Sequence, residues 1–333
     1  MAASLKDVAA MAGVSIKTVS NVVNDYPFVS VQTRARVNAA IKELEYQPNL
    51  SARGLRTGRS NLIALALPVL DEPYFAEIAS LVVYAAEERG LTVLIDQTGG
   101  DRQRERQAAE GVRANLIDGA ISSPLALTQK DIEVLTRRRP IVLLGEQFSA
   151  VGADHVAIDS VAAARDATSA LLELGRRRIA FIGADTKVNT AAQRLTGYEQ
   201  ALRAAGRTVD ERLIIRIGPF RRVQGYQAAQ ELLRLRRPPD AIFCLNDLMA
   251  LGAMRALIEA GARVPQDVAV MGIDDIEDGR FGSPTLSTVS PDKRAIAAIA
   301  VDLLALRIRG GSDDPPRDVA AGYQLVMRES TGS

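Results

Sequence analysis

The sequence predicts an α/β body with parallel sheets behind a small all-α head. Three observations predict it. From residue 61 onward, short apolar runs alternate with amphipathic stretches, the pattern of parallel strands joined by helical crossovers. Before residue 50, apolar positions recur only at helical spacing, in three short segments. The charge divides near the same place. Residues 1–60 hold eight Lys/Arg against four Asp/Glu, a net of +4, whereas the rest holds 33 against 36, a net of −3. With 333 residues, 47% hydrophobic and 24% charged, the chain is long enough for two or three domains and too apolar to be disordered.

Composition narrows the function classes. No apolar run approaches the roughly 18–20 residues needed to cross a bilayer, and the start, MAASLKDVAAMAGV, lacks the apolar core of a secretory signal. Cys244 and His155 are the sole cysteine and histidine. That excludes an intramolecular disulfide, a cysteine cluster and a multi-histidine metal site. The expectation is a cytoplasmic protein with no cofactor, no metal and no membrane partner. No phosphate-binding loop, dinucleotide-binding glycine motif or heptad run is present.

The head reads helix by helix. Ser4 with Asp7 starts a helix over Leu5–Ala12 in the manner of a capping box. Gly13 permits a sharp turn, Val14 plugs it, and Ser15 caps a second helix over Ile16–Asn24 that turns Val19, Val22 and Val23 inward. After the loop Asp25–Val29, Ser30 caps a third helix with Val37, Ala40, Ile41 and Leu44 on one face. Two short helices joined by a tight glycine turn form a helix-turn-helix. Such a unit lays its second helix in the DNA major groove, so Ile16, Lys17 and Asn21 can reach base edges. The hydroxyls of Ser15, Thr18, Ser20, Ser30 and Thr33 suit phosphate oxygens. The alternative is a generic three-helix bundle in which those hydroxyls are only caps.

In the body, strands are expected at Leu62–Leu67, Leu91–Ile95, Ile117–Ile121, Ile141–Leu144, Ile179–Ile182, Leu213–Ile217, Ala241–Cys244 and Val268–Gly272. Helices are expected over Phe75–Arg89, Ala162–Leu174, Ala192–Ala205 and Asp247–Ala260, among others. Eight or more strands are many for one open sheet. Two lobes fit better, although the pattern alone does not separate two lobes from a barrel. Ligands of open parallel sheets bind beyond the carboxyl ends of strands. Those ends carry Tyr74 and Phe75, Glu146 and Gln147, Arg194, Phe220, Asn246 and Asp247, and Asp274 and Asp275. Aromatic plates with one Arg and several Asn/Asp oxygens suit a carbohydrate. Other roles compete: Asp247 as a helix cap, Asp275 as a turn bond, Phe75 as core. His155 is expected to start a strand leading to Asp159, at the surface or between lobes, and Cys244 is expected as an inert core thiol. The runs LRLRRPP and TRRRP read as basic helix ends before a proline stop.

The segments LKDVAAMAGVSIKTVSNVVN, VSVQTRARVNAAIKELEYQPN and SARGLRTGRSNLIALALP resemble the head of the lactose-repressor (LacI/GalR) family of bacterial transcription regulators. Its hallmark DVA-x-x-AGVS-x-x-TVS-x-VxN falls on Asp7–Asn24, and its Y-x-PN on Tyr46–Asn49. LGRRRIAFIG, AAQRLTGYEQAL, DAIFCLNDLMALGAMRALIEAG and DVAVMGIDDIEDGRFGSPTLSTV resemble the family's two-lobed, periplasmic-binding-protein-like effector domain. The resemblance implies a helix-turn-helix head over 1–49, a hinge helix and linker over 50–60, and an effector-binding and dimerisation domain over 61–333. It implies that the hinge orders on operator DNA, with Leu55 as a minor-groove wedge, Pro48 ending the preceding helix and Asn49 capping the hinge. Ser4, Leu5, Asn24, Ala52 and Arg53 join the DNA-contact set. It places Arg194, Phe220, Asn246 and Asp274 around the effector, with Tyr74 and Phe75 as aromatics.

Departures from the family pattern carry their own expectations. Asn21 stands where Arg is usual and favours adenine. Gly54 weakens the hinge helix by about 0.5–1 kcal/mol relative to Ala, so the hinge should depend on DNA for its order. Pro68 and Gly145 replace the hydroxyl and carboxylate of the lactose repressor itself, which leaves Glu146 to supply a carboxylate. The function implied is a ligand-responsive regulator, a repressor, acting as a homodimer on a pseudo-palindromic operator. A sugar or sugar derivative is the expected effector, with a purine less favoured. A solute-binding protein would have no use for the head. A glycosidase would need carboxylates on opposite sides of a bond, not crowded into IDDIED.

Overall fold

The computed structural model describes residues 3–23, 26–46, 59–110, 116–146, 152–185, 188–310 and 314–332. It divides into two units, Met1–Asn61 and Leu62–Ser333. The first contains α1 (Leu5–Ala12), α2 (Ile16–Val23) and α3 (Val31–Glu43). Ser4 and Asp7 form the expected reciprocal cap. The Ser4 hydroxyl accepts the Asp7 amide, and the Asp7 carboxylate accepts the Ser4 amide at 2.8 Å. Gly13 ends α1 at φ 61°, a left-handed turn that a side chain would strain. Val8, Ala9, Ala12, Val19, Val22, Val37, Ala40 and Tyr46 close into a mini-core. So small a core is a thin basis for independent stability.

The second unit runs in chain order through β1 (Leu62–Leu67), α4 (Pro73–Glu87), β2 (Thr92–Gln97), α5 (Arg102–Glu110), β3 (Gly119–Ser122), α6 (Gln129–Thr136), β4 (Ile141–Leu144) and β5 (Asp154–Ile158). It continues through α7 (Ser160–Glu173), β6 (Ile179–Ile182), α8 (Asn189–Ala204), β7 (Ile214–Ile215), α9 (Arg222–Leu233), β8 (Ala241–Cys244), α10 (Asp247–Glu259) and β9 (Ala269–Ile273). The last elements are α11 (Glu277–Arg280), β10 (Ser287–Pro291), α12 (Lys293–Ile308), β11 (Asp318–Ala321) and β12 (Tyr323–Val326).

Two separate sheets result, which settles the choice against a barrel. One has the order β11-β5-β4-β3-β1-β2 and the other β12-β10-β9-β8-β6-β7. The described pairings are parallel except β10 with β12. The chain passes between the sheets three times: after β5, after β10, and between β11 and β12. Two of the passages are bonded together, Asp292 N donating to Gly322 O at 2.9 Å. β10, β11 and β12 lie outside the strands expected from the apolar pattern. β10 reads STVSP, and its hydroxyls are buried by bonds to distant groups, such as Ser287 Oγ to Arg328 O. The expected strand Leu213–Ile217 contracts to Ile214–Ile215, because Glu211–Leu213 forms a 3-10 turn capped by Asp210.

In the second lobe, α9 and α10 approach at glycines. A Cβ on Gly252 would lie 1.9 Å from the Arg222 carbonyl oxygen, and one on Gly225 would lie 2.0 Å from that of Met249. Both obstacles are backbone, so the helices themselves must separate. Gly252→Ala is expected to destabilise the protein by about 1–3 kcal/mol despite alanine's better helix propensity. Urea unfolding of the full chain checks this, and unchanged or increased stability would contradict the close approach.

Candidate nucleic-acid interface and ligand cavity

The head presents α2 to solvent along one side. Ile16 is 49% exposed, Lys17 is exposed and Asn21 is half-buried. Ser15 Oγ accepts the Thr18 amide at 3.1 Å, and Ser30 Oγ accepts the Thr33 amide at 3.2 Å. These hydroxyls are therefore helix caps. Ser4, Ser15 and Ser30 are also exposed, and Thr18 and Thr33 half-buried, which leaves them capacity for phosphate. Leu5 packs partly on the mini-core. Ser20 differs from these hydroxyls: it is buried, as are Val19 and Val22 of the same helix. Asn24, Asn49, Ala52, Arg53 and Leu55 lie outside the described residues, as do Pro48 and Gly54. Sequence reasoning passed over Phe28, 85% exposed, which meets Tyr26 edge to face with centroids 5.5 Å apart.

In the second unit, the carboxyl ends of strands from both sheets open onto one cavity of ≈ 340 Å³. Tyr74, Phe75, Glu146, Arg194, Phe220, Asn246 and Asp274 all line it. Sequence reasoning missed Glu72, Ser123, Thr190 and Arg221, which add polar groups to the lining. The wall at Leu125 is held from outside. Glu105, fully buried on α5, accepts the amides of Leu125, Ala126 and Leu127 at 2.8–3.0 Å. Phe75 both lines the cavity and packs on the core, so the two roles weighed for it coexist.

Polar clasps join the lobes around this cavity. Glu146, at the end of β4, is bonded by Ser160 Oγ at 2.9 Å and Thr190 Oγ1 at 2.7 Å, and its carbonyl accepts from the Asn189 side chain. Arg194, on α8, lies 3.8 Å from the Glu146 carboxylate and donates to Leu245 O at 2.5 Å. At the mouth, Arg221 makes two 3.0 Å bonds to Asp71 and one 3.3 Å ion pair with Glu72. Asp274 has no carboxylate hydrogen bond among the described residues. Burial pushes its carboxyl well above the usual range, and Arg194 only partly offsets this. Burial likewise raises the Tyr74 phenol, with the Glu146 charge adding to it. A carboxyl and a phenol thus stand inside a mostly apolar cavity.

Several expectations near the cavity need correction. Asn246, not Asp247, caps α10: its Oδ1 accepts the Met249 amide at 2.9 Å while its Nδ2 donates to Phe220 O at 3.0 Å. Asp247 lies one residue further in. Its buried carboxylate accepts from Thr288 Oγ1 at 2.7 Å and from the Ile276 amide at 3.0 Å, so it anchors the loop after β9. Asp275 turns to Arg280, Arg328 and Ser290 rather than to the backbone of its turn. His155 is buried in β5 inside the first lobe, its ring nitrogens 2.8 Å from Asp318 Oδ1 and 2.6 Å from Gly145 O. Cys244 is buried as expected, and burial raises its thiol far above the ordinary range. Gln147 lies outside the described residues.

Comparison with known proteins fits this geometry. Residues 4–49 match the model described as bacterial regulatory proteins, lacI family, and residues 168–331 match a periplasmic binding protein-like domain. The ribose operon repressor of Haemophilus influenzae is 34% identical over 329 residues, covering 98% of each chain. The chain belongs to the lacI family of bacterial regulatory proteins. Also similar is the HTH-type transcriptional repressor PurR of Vibrio atlanticus, 34% identical over 99% of this chain and 98% of that one. Among solved structures, the lac repressor dimer bound to operator and the anti-inducer ONPF superposes with a TM-score of 0.88 at 29% identity, covering 99% of both chains. As a lacI-family member the chain is a ligand-responsive, DNA-binding repressor, not an enzyme.

The buried acid behind the cavity makes stability depend on pH. Burial raises Asp247 to about 6, outweighing the hydrogen bonds that lower it. The folded protein keeps this proton where the unfolded chain has given it up. The stabilisation is therefore complete below the ordinary carboxyl value and lost as pH rises through about 6. Asp247→Asn removes the titration, so between about pH 4 and about pH 7 it should gain on wild type by about 1–3 kcal/mol. Thermal melts of both proteins at the two pH values measure the difference, and parallel pH profiles would contradict it.

Proposed function

We propose that this repressor binds a pseudo-palindromic operator as a homodimer, in the cytoplasm, under the control of an uncharged sugar or sugar derivative held between its lobes. One observation carries the effector assignment: aromatic and polar groups from both lobes converge on a single enclosed cavity in which the described cations are already matched. Arg194 faces Glu146, and Arg221 faces Asp71 and Glu72. The Asp274 carboxyl is left to bond ligand hydroxyls, and Tyr74, Phe75 and Phe220 offer faces for sugar C–H groups. The relative that represses a ribose operon supports the same class.

The dimer reading rests on apolar edges. Leu94 and Ile95 are exposed on β2, an outer strand of the first sheet, with Tyr84 exposed on α4. In the second lobe Phe281 is 82% exposed and Val223 is exposed at the start of α9. Apolar edge strands and patches of this kind call for a cover, and the lac repressor is a dimer on its operator. On DNA, Ile16, Lys17 and Asn21 are assigned to base edges and the exposed caps to phosphates.

A screen of D-ribose, D-glucose, D-galactose, cellobiose, adenine and hypoxanthine by thermal shift, with fluorescence anisotropy on the duplex upstream of the gene, tests the proposal. Duplex affinity should fall steeply with salt. One sugar should stabilise the protein and shift duplex affinity by about 5–150-fold, the scale of ordinary allosteric coupling. Arg194→Ala and Asp274→Asn should each weaken that sugar at least tenfold. A response to a purine base alone would replace the sugar assignment, and salt-independent or absent duplex binding would remove the operator reading.

A further inference from the structure

Lys293 opens α12, two positions beyond the end of β10, and only 5% of its side chain meets solvent. Lysine is almost never so deep unless its three ammonium hydrogens all find acceptors. Here they do. Nζ donates to the carboxylate of Glu77 on α4, to the Asp274 carbonyl at 2.9 Å and to the Asp275 carbonyl at 3.2 Å. α12 packs on α4 and on β3, β4 and β5, so the lysine stands on the first lobe. The two carbonyls belong to the loop after β9, in the second lobe. This ammonium crosses the gap.

The loop it reaches is a strained one. Asp274 has φ 123° and Asp275 φ 49°, conformations that residues with a Cβ rarely adopt. Such strain persists only where surrounding contacts over-determine it. Within the second lobe, Asp274 N donates to Val289 O at 2.9 Å, and the Asp275 carboxylate is gripped by Arg280 and Arg328. Lys293 adds a grip from the opposite lobe, on the carbonyls. The side chain of Asp274 lines the cavity, whereas Lys293 does not.

We propose that Lys293 is a positioning residue for Asp274: steered by Glu77, it holds the Asp274–Asp275 backbone from the first lobe, so that the Asp274 carboxylate is fully presented to the cavity only when the lobes are together. The proposal rests on the reading of the cavity as the effector site. The second-lobe wall of that site is thereby completed by a first-lobe side chain. Ligand captured by Asp274 and the bonds made by Lys293 favour the same closed arrangement, and each strengthens the other.

Hydrogen exchange on the full-length protein without any ligand tests this independently of what the effector is. Lys293→Met should speed exchange across residues 274–278 at least tenfold, while β9 and β10 keep their protection. Glu77→Gln should speed the same segment severalfold, although Glu77 lies in the other lobe and bonds to neither aspartate. The double variant should exchange no faster than Lys293→Met alone, and Lys293→Arg should restore most of the protection. Unchanged exchange at 274–278 in both single variants would overturn the proposal. So would equal loosening of β9 and β10 in Lys293→Met, which makes the lysine a general support of its lobe. Failure of every sugar to bind would instead remove the effector reading and leave the exchange result standing.

Discussion

The chain crosses between its two sheets three times, and the function depends on that constraint. Three short passages, two of them bonded through Asp292 and Gly322, tie the lobes together on one side. Each strand end on one sheet therefore faces a partner on the other, and no ligand can fill the cavity between them without touching both. A ligand shifts a two-state equilibrium only by its difference in affinity for the two states. Walls supplied by separate lobes are a direct way to build such a difference, because any change in their separation alters the contacts to a shared ligand.

Charge pairing makes the closed form specific rather than merely compact. Glu146 meets Ser160, Thr190 and Arg194, Arg221 meets Asp71 and Glu72, and Lys293 meets the carbonyls after β9. Exposed ion pairs contribute little on their own, so the clasp at the mouth is a weak one. The inner clasps are buried, where an unmatched group is costly and a matched one fixes geometry.

Much of this was legible in the sequence, for physical reasons that differ by region. The head could be read residue by residue because its caps and turn act locally: Ser4 with Asp7, Gly13, Ser15 and Ser30 each do their work within four positions. Strands β1, β4, β6 and β8 are buried on both faces and so appear as uninterrupted apolar runs. β10 was not legible, since its buried Ser and Thr are satisfied by partners about 41 residues away in the chain. The exchange of roles between Asn246 and Asp247 turned on a single residue of helix phase. Glu77 and Lys293, 216 residues apart, meet only through the fold, and no local spacing announces them.

The most direct test is thermodynamic reciprocity in one preparation of the full-length protein. Operator affinity is measured with and without saturating effector, and effector affinity with and without saturating operator duplex. Linkage requires that the two ratios be the same factor. Equal ratios, both differing from one by at least about fivefold, are the expected result. Effector affinity indifferent to saturating operator would contradict this, because the cavity and the DNA grip would then be independent.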